Sequence, residues 1–92
     1  MNSTQRHASH PRITRRLKWA EGHLHSMLPM FEEERSCVEL AQQLHAVEKA
    51  VANAKRELIH DHIEHCLEEP SVENSKAVRT SLAELKTLTK YL

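Results

Sequence analysis

Apolar residues recur along this chain at intervals of three and four positions, which is the spacing of an amphipathic helix. Three such runs are present, within residues 10–34, 37–68 and 72–92. Ser9 and Ser36 precede the first two runs as helix N-caps do, and Pro70 ends the second run. The pattern therefore predicts one all-α domain, residues 1–92, with three helices and a flexible polar arm over residues 1–8.

The second helix is too long for a small subunit to cover. It contains no glycine or proline between residues 37 and 68, so it should run for about 30 residues, or about 45 Å. A chain of 92 residues does not bury such a helix alone, and we expect a homo-oligomer. In the first helix, Gly22 indicates a close backbone approach, and Pro29 predicts a kink or the end of the regular part.

Charge is distributed unevenly, although the formal net charge is zero. Five basic residues and no acidic ones lie between Arg6 and Lys18, whereas six acidic residues and no lysine or arginine lie between Glu57 and Glu73. A cationic patch on a helix favours binding to phosphate, although a plain solvated face has the same composition. The candidate DNA-binding residues are Arg12, Arg15, Arg16 and Lys18.

The remaining composition narrows the class of protein. The two cysteines are too few for a disulfide framework, and the sequence has neither a signal peptide nor an apolar segment of membrane length. We therefore expect a cytoplasmic protein with no membrane partner, in which both thiols are reduced and available. The sequence contains no nucleophile elbow, glycine-rich phosphate loop or zinc-protease motif, and we predict that the chain is not an enzyme.

The candidate metal ligands are His62 and Cys66, four positions apart on one helix face, together with Cys37 at the start of the same helix. Cys37 and His62 are separated by about 37 Å of helix, so two chains must share any site that uses all three residues. Two thiolates and an imidazole suit Cu(I), Zn(II), or Ni(II) and Co(II) with extra ligands, which His7 and His10 could supply. A small buried cysteine beside a surface histidine is the alternative interpretation.

The chain resembles the CsoR/RcnR family of small all-helical transcriptional repressors in four places, namely residues 16–24, Cys37, residues 43–47 and residues 60–66. The resemblance implies a three-helix subunit whose two long helices form an antiparallel four-helix bundle in a dimer. It further implies a dimer of dimers that binds operator DNA.

The resemblance also implies roles for particular residues. Cys37 of one chain and His62 with Cys66 of another would bind Cu(I), and metal binding would release the DNA. Arg16 and Lys18 match basic positions linked to DNA contact, and Glu84 matches a carboxylate that supports the metal ligands from outside the coordination sphere.

Departures from the family pattern bear on the effector. The copper-sensing branch has a tyrosine where Ser36 stands and a basic residue where Asn53 stands. The nickel and cobalt branch recruits an N-terminal histidine and often has histidine at the position of Cys66. We interpret the chain as a Cu(I)-responsive repressor, and a Ni(II)- or Co(II)-responsive repressor is the first alternative. The others are a persulfide or thiol sensor that uses Cys37 and Cys66, and a metal-buffering bundle without a DNA role.

Overall fold

The computed structural model describes residues 9–68 and 75–92, and the side chains of residues 9–65 and 79–92. The helices are α1 (His10–Glu32), α2 (Cys37–Glu68) and α3 (Ser75–Leu88), and a 3₁₀ helix follows at Thr89–Tyr91. No strand occurs in these ranges, so the prediction of an all-α subunit is confirmed. The predicted arm and the predicted start of the third helix near residue 72 lie outside the described residues.

Two features of the structure bear on the ends that the sequence predicts for helix α1. Ser9 occupies the N-cap position, but its hydroxyl makes no capping hydrogen bond to the helix. Pro29 lies inside the helix, which continues to Glu32 and does not end at the proline. Proline has no N–H, so the His25 carbonyl receives no helical hydrogen bond from residue 29, whereas the Pro29 carbonyl accepts one from the Glu33 N–H at 3.0 Å.

A tight turn connects α1 to α2 and reverses the chain. Glu34 adopts a left-handed backbone conformation with φ of 58°. The Arg35 N–H donates to the Met30 carbonyl at 3.4 Å, which is the hydrogen bond of a Schellman motif at a helix C-terminus. The Ser36 hydroxyl then accepts a hydrogen bond from the Glu39 N–H at 3.1 Å, so Ser36 caps α2 as predicted.

Helices α1 and α2 form an antiparallel hairpin with a narrow core. The buried apolar residues recur every seven positions on each helix, which is the spacing of a coiled-coil seam. They are Ile13, Ala20 and Met27 on α1 and Val47 and Ala54 on α2. Ile59 is buried as well, and the 1% exposure of Met27 marks the best-packed point of the hairpin.

A second apolar stripe remains exposed along the same hairpin. It comprises Leu17, Leu24, Leu28 and Phe31 on α1 and Leu44, Val51 and Leu58 on α2, each with 40% or more of its surface exposed. Part of this stripe lines an open groove between the two helices. The close backbone approach that Gly22 predicted is absent within the described part of the subunit, since an added Cβ there would meet nothing within 4 Å.

Candidate metal centre and nucleic-acid interface

Side chains of all three helices line a cavity at the His62 end of α2. His62 lines a cavity of about 520 Å³ together with His10 from the start of α1 and Glu84 from α3. The Glu84 Oε2 lies 4.0 Å from the His62 Nε2. The other lining residues are Leu58, Thr80, Ala83, Thr87 and Leu88. The fold thus brings together three of the residues that sequence analysis associated with a metal.

The remaining candidate ligands are not brought into this cluster. Cys37 is exposed and reduced at the opposite end of α2. Cys66 belongs to the last turn of the same helix, but its side chain is not among those that the structure describes. His7 lies outside the described residues. Within the part of the chain that the structure describes, no group of three or more potential ligands is positioned to hold one metal ion.

Cys37 and His62 nevertheless share one side of α2. Cys37, Leu44, Val51 and Leu58 follow one another at intervals of seven residues, and His62 lies one turn after Leu58. Residues at this spacing lie on one stripe of a helix. The three apolar members of the series belong to the exposed stripe, so the two ends of that stripe carry a thiol and an imidazole.

A fixed positive charge lies next to the Cys37 end. Arg35 forms ion pairs with Glu39 at 3.0 Å and with Glu33 at 3.1 Å. The hydrogen bond and charge of Glu39, followed by those of Glu33, raise the pKa of Arg35 above its ordinary value. The turn that precedes Cys37 therefore keeps a charged guanidinium at any physiological pH.

The predicted cationic patch on α1 divides into two parts. Arg12 pairs with the Glu57 carboxylate of α2, and the Arg16 Nε lies 3.7 Å from the Glu57 Oε1. Arg15 and Lys18 are exposed and form no ion pair among the described residues. They line a separate cavity of about 540 Å³ near the start of α1.

Ser9 links the beginning of α1 to the His62 end of α2. Its hydroxyl donates to the Asp61 Oδ2 at 2.7 Å, and the residue is only 3% exposed. Asp61 immediately precedes His62. Sequence reasoning treated Ser9 as a helix cap and missed this contact. The complementary basic and acidic segments of the two helices were the signal that could have found it.

Two further polar contacts lie along the middle of the hairpin. The His23 Nε2 donates to the Gln43 Oε1 at 2.6 Å, and the His23 ring stacks on Trp19 with 4.9 Å between ring centroids. At the position where the copper branch has a basic residue, the Asn53 Oδ1 accepts from the Arg56 Nη1 at 2.8 Å. A guanidinium therefore lies beside Asn53, although the residue itself is neutral.

The described residues form an all-helical subunit with an exposed apolar stripe and with exposed basic side chains on α1. Residues 9–91 match the family described as metal-sensitive transcriptional repressor, and the chain belongs to this family. The family resemblance inferred from the sequence is confirmed. The class is a non-enzymatic regulator, as predicted.

Two curated relatives with similar sequences are copper-sensing repressors. The copper-sensing transcriptional repressor CsoR of Bacillus subtilis (strain 168) is 35% identical over 80 residues, which cover 85% of this chain and 79% of that protein. The copper-sensing repressor CsoR of Mycobacterium ulcerans (strain Agy99) is 41% identical over 51 residues, or 55% of this chain, and the match spans only 44% of that relative.

Among solved structures, the nickel-responsive transcriptional regulator InrS has the same fold. Its TM-score is 0.76 at 28% sequence identity, and the alignment covers 96% of this chain and 97% of that one. None of the helices described here is long and apolar enough to cross a membrane.

Proposed function

We propose that this chain is a transcriptional repressor that binds operator DNA when metal-free and releases it when Cu(I) binds Cys37 of one chain and His62 with Cys66 of another. The observation that carries the proposal is the exposed stripe of α2, which has Cys37 at one end and His62 at the other. Family membership supports the repressor role and a metal effector.

The shared site follows from the length of α2. Cys37 and His62 are about 37 Å apart along the helix, so one subunit cannot bring them to one ion. Two antiparallel copies of α2, packed through Leu44, Val51 and Leu58, would set the Cys37 end of each against the His62 end of the other. Such packing would also bury the apolar residues that the subunit leaves in water. We infer a dimer of this kind, and a dimer of dimers as the DNA-binding form.

The donor set suits Cu(I). Two thiolates and one imidazole are soft and borderline ligands, which favour a monovalent soft ion. Glu84 lies beside His62 and would orient the imidazole, since carboxylates near metal-bound histidines fix ring position and raise ligand basicity. Binding would join two chains at both ends of their long helices and so favour one of two packing arrangements over the other.

The DNA surface would be the cationic face of α1, with Arg12, Arg15, Arg16 and Lys18. Their guanidinium and ammonium groups are suited to phosphate contact, and binding through them depends on salt because counterions are released from the DNA. Base readout is not part of the proposal. A repressor that acts on bacterial operator DNA works in the cytoplasm, which fits the expected location.

A Ni(II)- or Co(II)-responsive repressor is the second candidate, because His10 and His62 line one cavity. The imidazole of His10 at the start of α1, and that of His7 earlier in the sequence, could raise the coordination number above that of Cu(I). The nickel-responsive regulator with the same fold supports this alternative for the effector while leaving the repressor role unchanged.

The deciding experiment is an anaerobic titration of reduced protein with Cu(I) and, separately, with Ni(II). Absorption spectra report thiolate-to-metal bands, and a mobility shift with DNA fragments selected by the apo-protein reports release. DNA release by Cu(I) alone supports the first proposal, and release by Ni(II) alone supports the second. Release by neither ion contradicts both and directs attention to persulfide chemistry at the thiols.

Mixed oligomers test the shared site directly. We expect a Cys37→Ala chain and a His62→Ala/Cys66→Ala chain to bind Cu(I) poorly when each is alone. When the two are unfolded and refolded together, dimers that contain one of each keep one complete ligand set, and part of the binding should return. Failure of any mixture to recover binding would contradict a site shared by two chains.

A further inference from the structure

Glu57 occupies the centre of the polar contact between α1 and α2. Its carboxylate pairs with Arg12 and faces Arg16, whose Nε is 3.7 Å from Oε1. The Glu57 side chain is only 19% exposed, whereas the side chains of Arg12 and Arg16 are 55% and 46% exposed. The carboxylate is thus fixed beneath two guanidiniums that remain accessible from solvent.

The Oε1 atom of Glu57 is buried and makes no hydrogen bond among the described residues. It is therefore balanced by charge alone, from Arg16. A buried carboxylate oxygen held in this way favours keeping both guanidiniums nearby, because their departure would leave a charge uncompensated. Glu57 therefore restrains the direction in which the two arginines can move.

The same two guanidiniums are the groups that an operator phosphate would need. A phosphate that approaches Arg12 or Arg16 must compete with the carboxylate for their N–H donors, and it is also repelled by the carboxylate charge. We infer that Glu57 is an internal competitor that lowers the DNA affinity of the chain by holding Arg12 and Arg16. This inference rests on the proposed DNA-binding function of the α1 face.

The competition is weak enough to be overcome. Ion pairs with exposed partners contribute little to the stability of the folded chain, because solvent screens the charges and the long side chains lose conformational freedom when they pair. DNA can therefore displace the carboxylate, and the effect of Glu57 should appear as a reduction in affinity. Arg15 and Lys18, which have no ion-pair partner among the described residues, would supply the contacts that are free from the start.

Glu57 also lies one helical turn before Asp61, which holds Ser9 at 2.7 Å and precedes His62. The carboxylate that restrains the arginines is therefore on the same segment of α2 as a proposed metal ligand. The proposed DNA-binding residues Arg12 and Arg16 and the proposed metal ligand His62 are therefore adjacent to the same segment of α2 in one subunit.

The test compares full-length wild type with Glu57→Gln by fluorescence anisotropy on a fluorescein-labelled random-sequence DNA duplex over a series of salt concentrations. The matched control is Glu48→Gln, which makes the same charge change on the same helix. The Glu48 side chain is 79% exposed, and among the described residues it pairs with His45. A third protein carries Arg12→Gln and Arg16→Gln, and a fourth adds Glu57→Gln to that pair.

We expect Glu57→Gln to raise metal-free DNA affinity by up to about tenfold. The plot of log affinity against log salt should become steeper by about one. Glu48→Gln should give a clearly smaller gain, and without the two arginines Glu57→Gln should gain no more than Glu48→Gln does. Circular dichroism checks folding, and Glu57→Ala serves as a second neutral variant if Glu57→Gln does not fold.

The opposing results are distinct. An affinity equal to or below that of Glu48→Gln overturns the inference, as does a gain above that of Glu48→Gln that persists without Arg12 and Arg16. Absence of salt-dependent DNA binding in wild type and in every variant overturns the proposed function, and the inference with it. If wild type binds DNA and Glu57→Gln has no effect, the proposed function stands, and only the inference that Glu57 competes with DNA is overturned.

Discussion

The two ends of α2 carry the same kind of chemistry in opposite surroundings. At one end, Cys37 is exposed directly after a turn and contacts no other candidate ligand among the described residues. At the other end, His62 lies in a cavity with His10 and Glu84, under cover of α3. We call the Cys37 end, where the thiol is exposed, the open end of α2. We call the His62 end, where side chains of three helices line a cavity, the enclosed end.

This difference indicates which half of a shared site is prepared in advance. The cavity end can hold the imidazole in position before metal arrives, because α3 supplies a carboxylate next to it. The thiol end has only the turn to support it, and it depends on a second subunit to bring it to the other ligands. We therefore expect loss of the Cys37 thiol at the open end to remove the response, and loss of the supporting Glu84 carboxylate at the enclosed end to weaken it.

The largest effect is expected for Cys37→Ala. Loss of one of three ligands should lower Cu(I) affinity by more than about 100-fold, since loss of outer contacts alone lowers it by 10–100-fold. DNA binding by the metal-free protein should be unchanged, because Cys37 is far from the cationic face. Competition with a Cu(I) chelator and a DNA mobility shift measure the two quantities.

His45→Ala is the matched control for this substitution. His45 is a metal-capable side chain on the same helix that is 73% exposed and outside the proposed site. It should leave Cu(I) affinity unchanged. Normal release of DNA by Cu(I) from the Cys37→Ala protein would show that the open end has no part in the response.

A smaller effect is expected for Glu84→Gln at the enclosed end. The substitution keeps the size of the side chain but removes the carboxylate charge that lies 4.0 Å from the His62 Nε2. Cu(I) affinity should fall by about tenfold, since the imidazole loses a basic neighbour. Chelator competition measures the change, and Glu48→Gln controls for the altered net charge. Affinity equal to that of the control would exclude Glu84 from the site.

The sequence was sufficient to predict three helices and the family, because the apolar spacing and the segments around Cys37 and residues 60–66 are distinctive. It could not separate the two apolar stripes of the hairpin. Leu17 and Ala20 both fit the helical period, yet Leu17 is 43% exposed and Ala20 is 5% exposed. Periodicity identifies an apolar face, but the angle at which α2 packs decides which part of it is covered.

The polar contacts were also beyond the reach of sequence reasoning. Arg12 and Arg16 were grouped with Arg15 and Lys18 as one patch, and nothing local in α1 distinguishes the members. The distinction comes from Glu57, which is 45 residues from Arg12 in the chain and is brought close by the antiparallel hairpin. Similarly, a serine directly before a helix is typical of an N-cap. The burial of Ser9 is explained by the hydrogen bond from its hydroxyl to Asp61, a residue of the other helix.

Ser9→Ala tests the support at the enclosed end through stability. The hydroxyl is 3% exposed, and its loss removes a hydrogen bond to Asp61 without opening a large cavity. We expect the free energy of unfolding to fall by about 1–2 kcal/mol. Urea denaturation at one protein concentration measures it. Ser26→Ala is the control, because the exposed Ser26 hydroxyl donates to the His23 carbonyl of its own helix at 2.7 Å. Equal midpoints for the two variants would contradict a structural role for Ser9.

The smallest expected effect is at the open end, where Glu34 has φ of 58°. This left-handed conformation costs a residue with a side chain about 1–2 kcal/mol, whereas glycine adopts it freely but loses more backbone entropy on folding. The two terms oppose each other, and we expect Glu34→Gly to raise the free energy of unfolding by about 0.5–1 kcal/mol. Glu34→Ala removes the same carboxylate and keeps the Cβ, so it should give no such gain. If alanine stabilised the protein as much as glycine, charge in the turn would be the cause. In that case the backbone leading to Cys37 would be less strained than its conformation indicates.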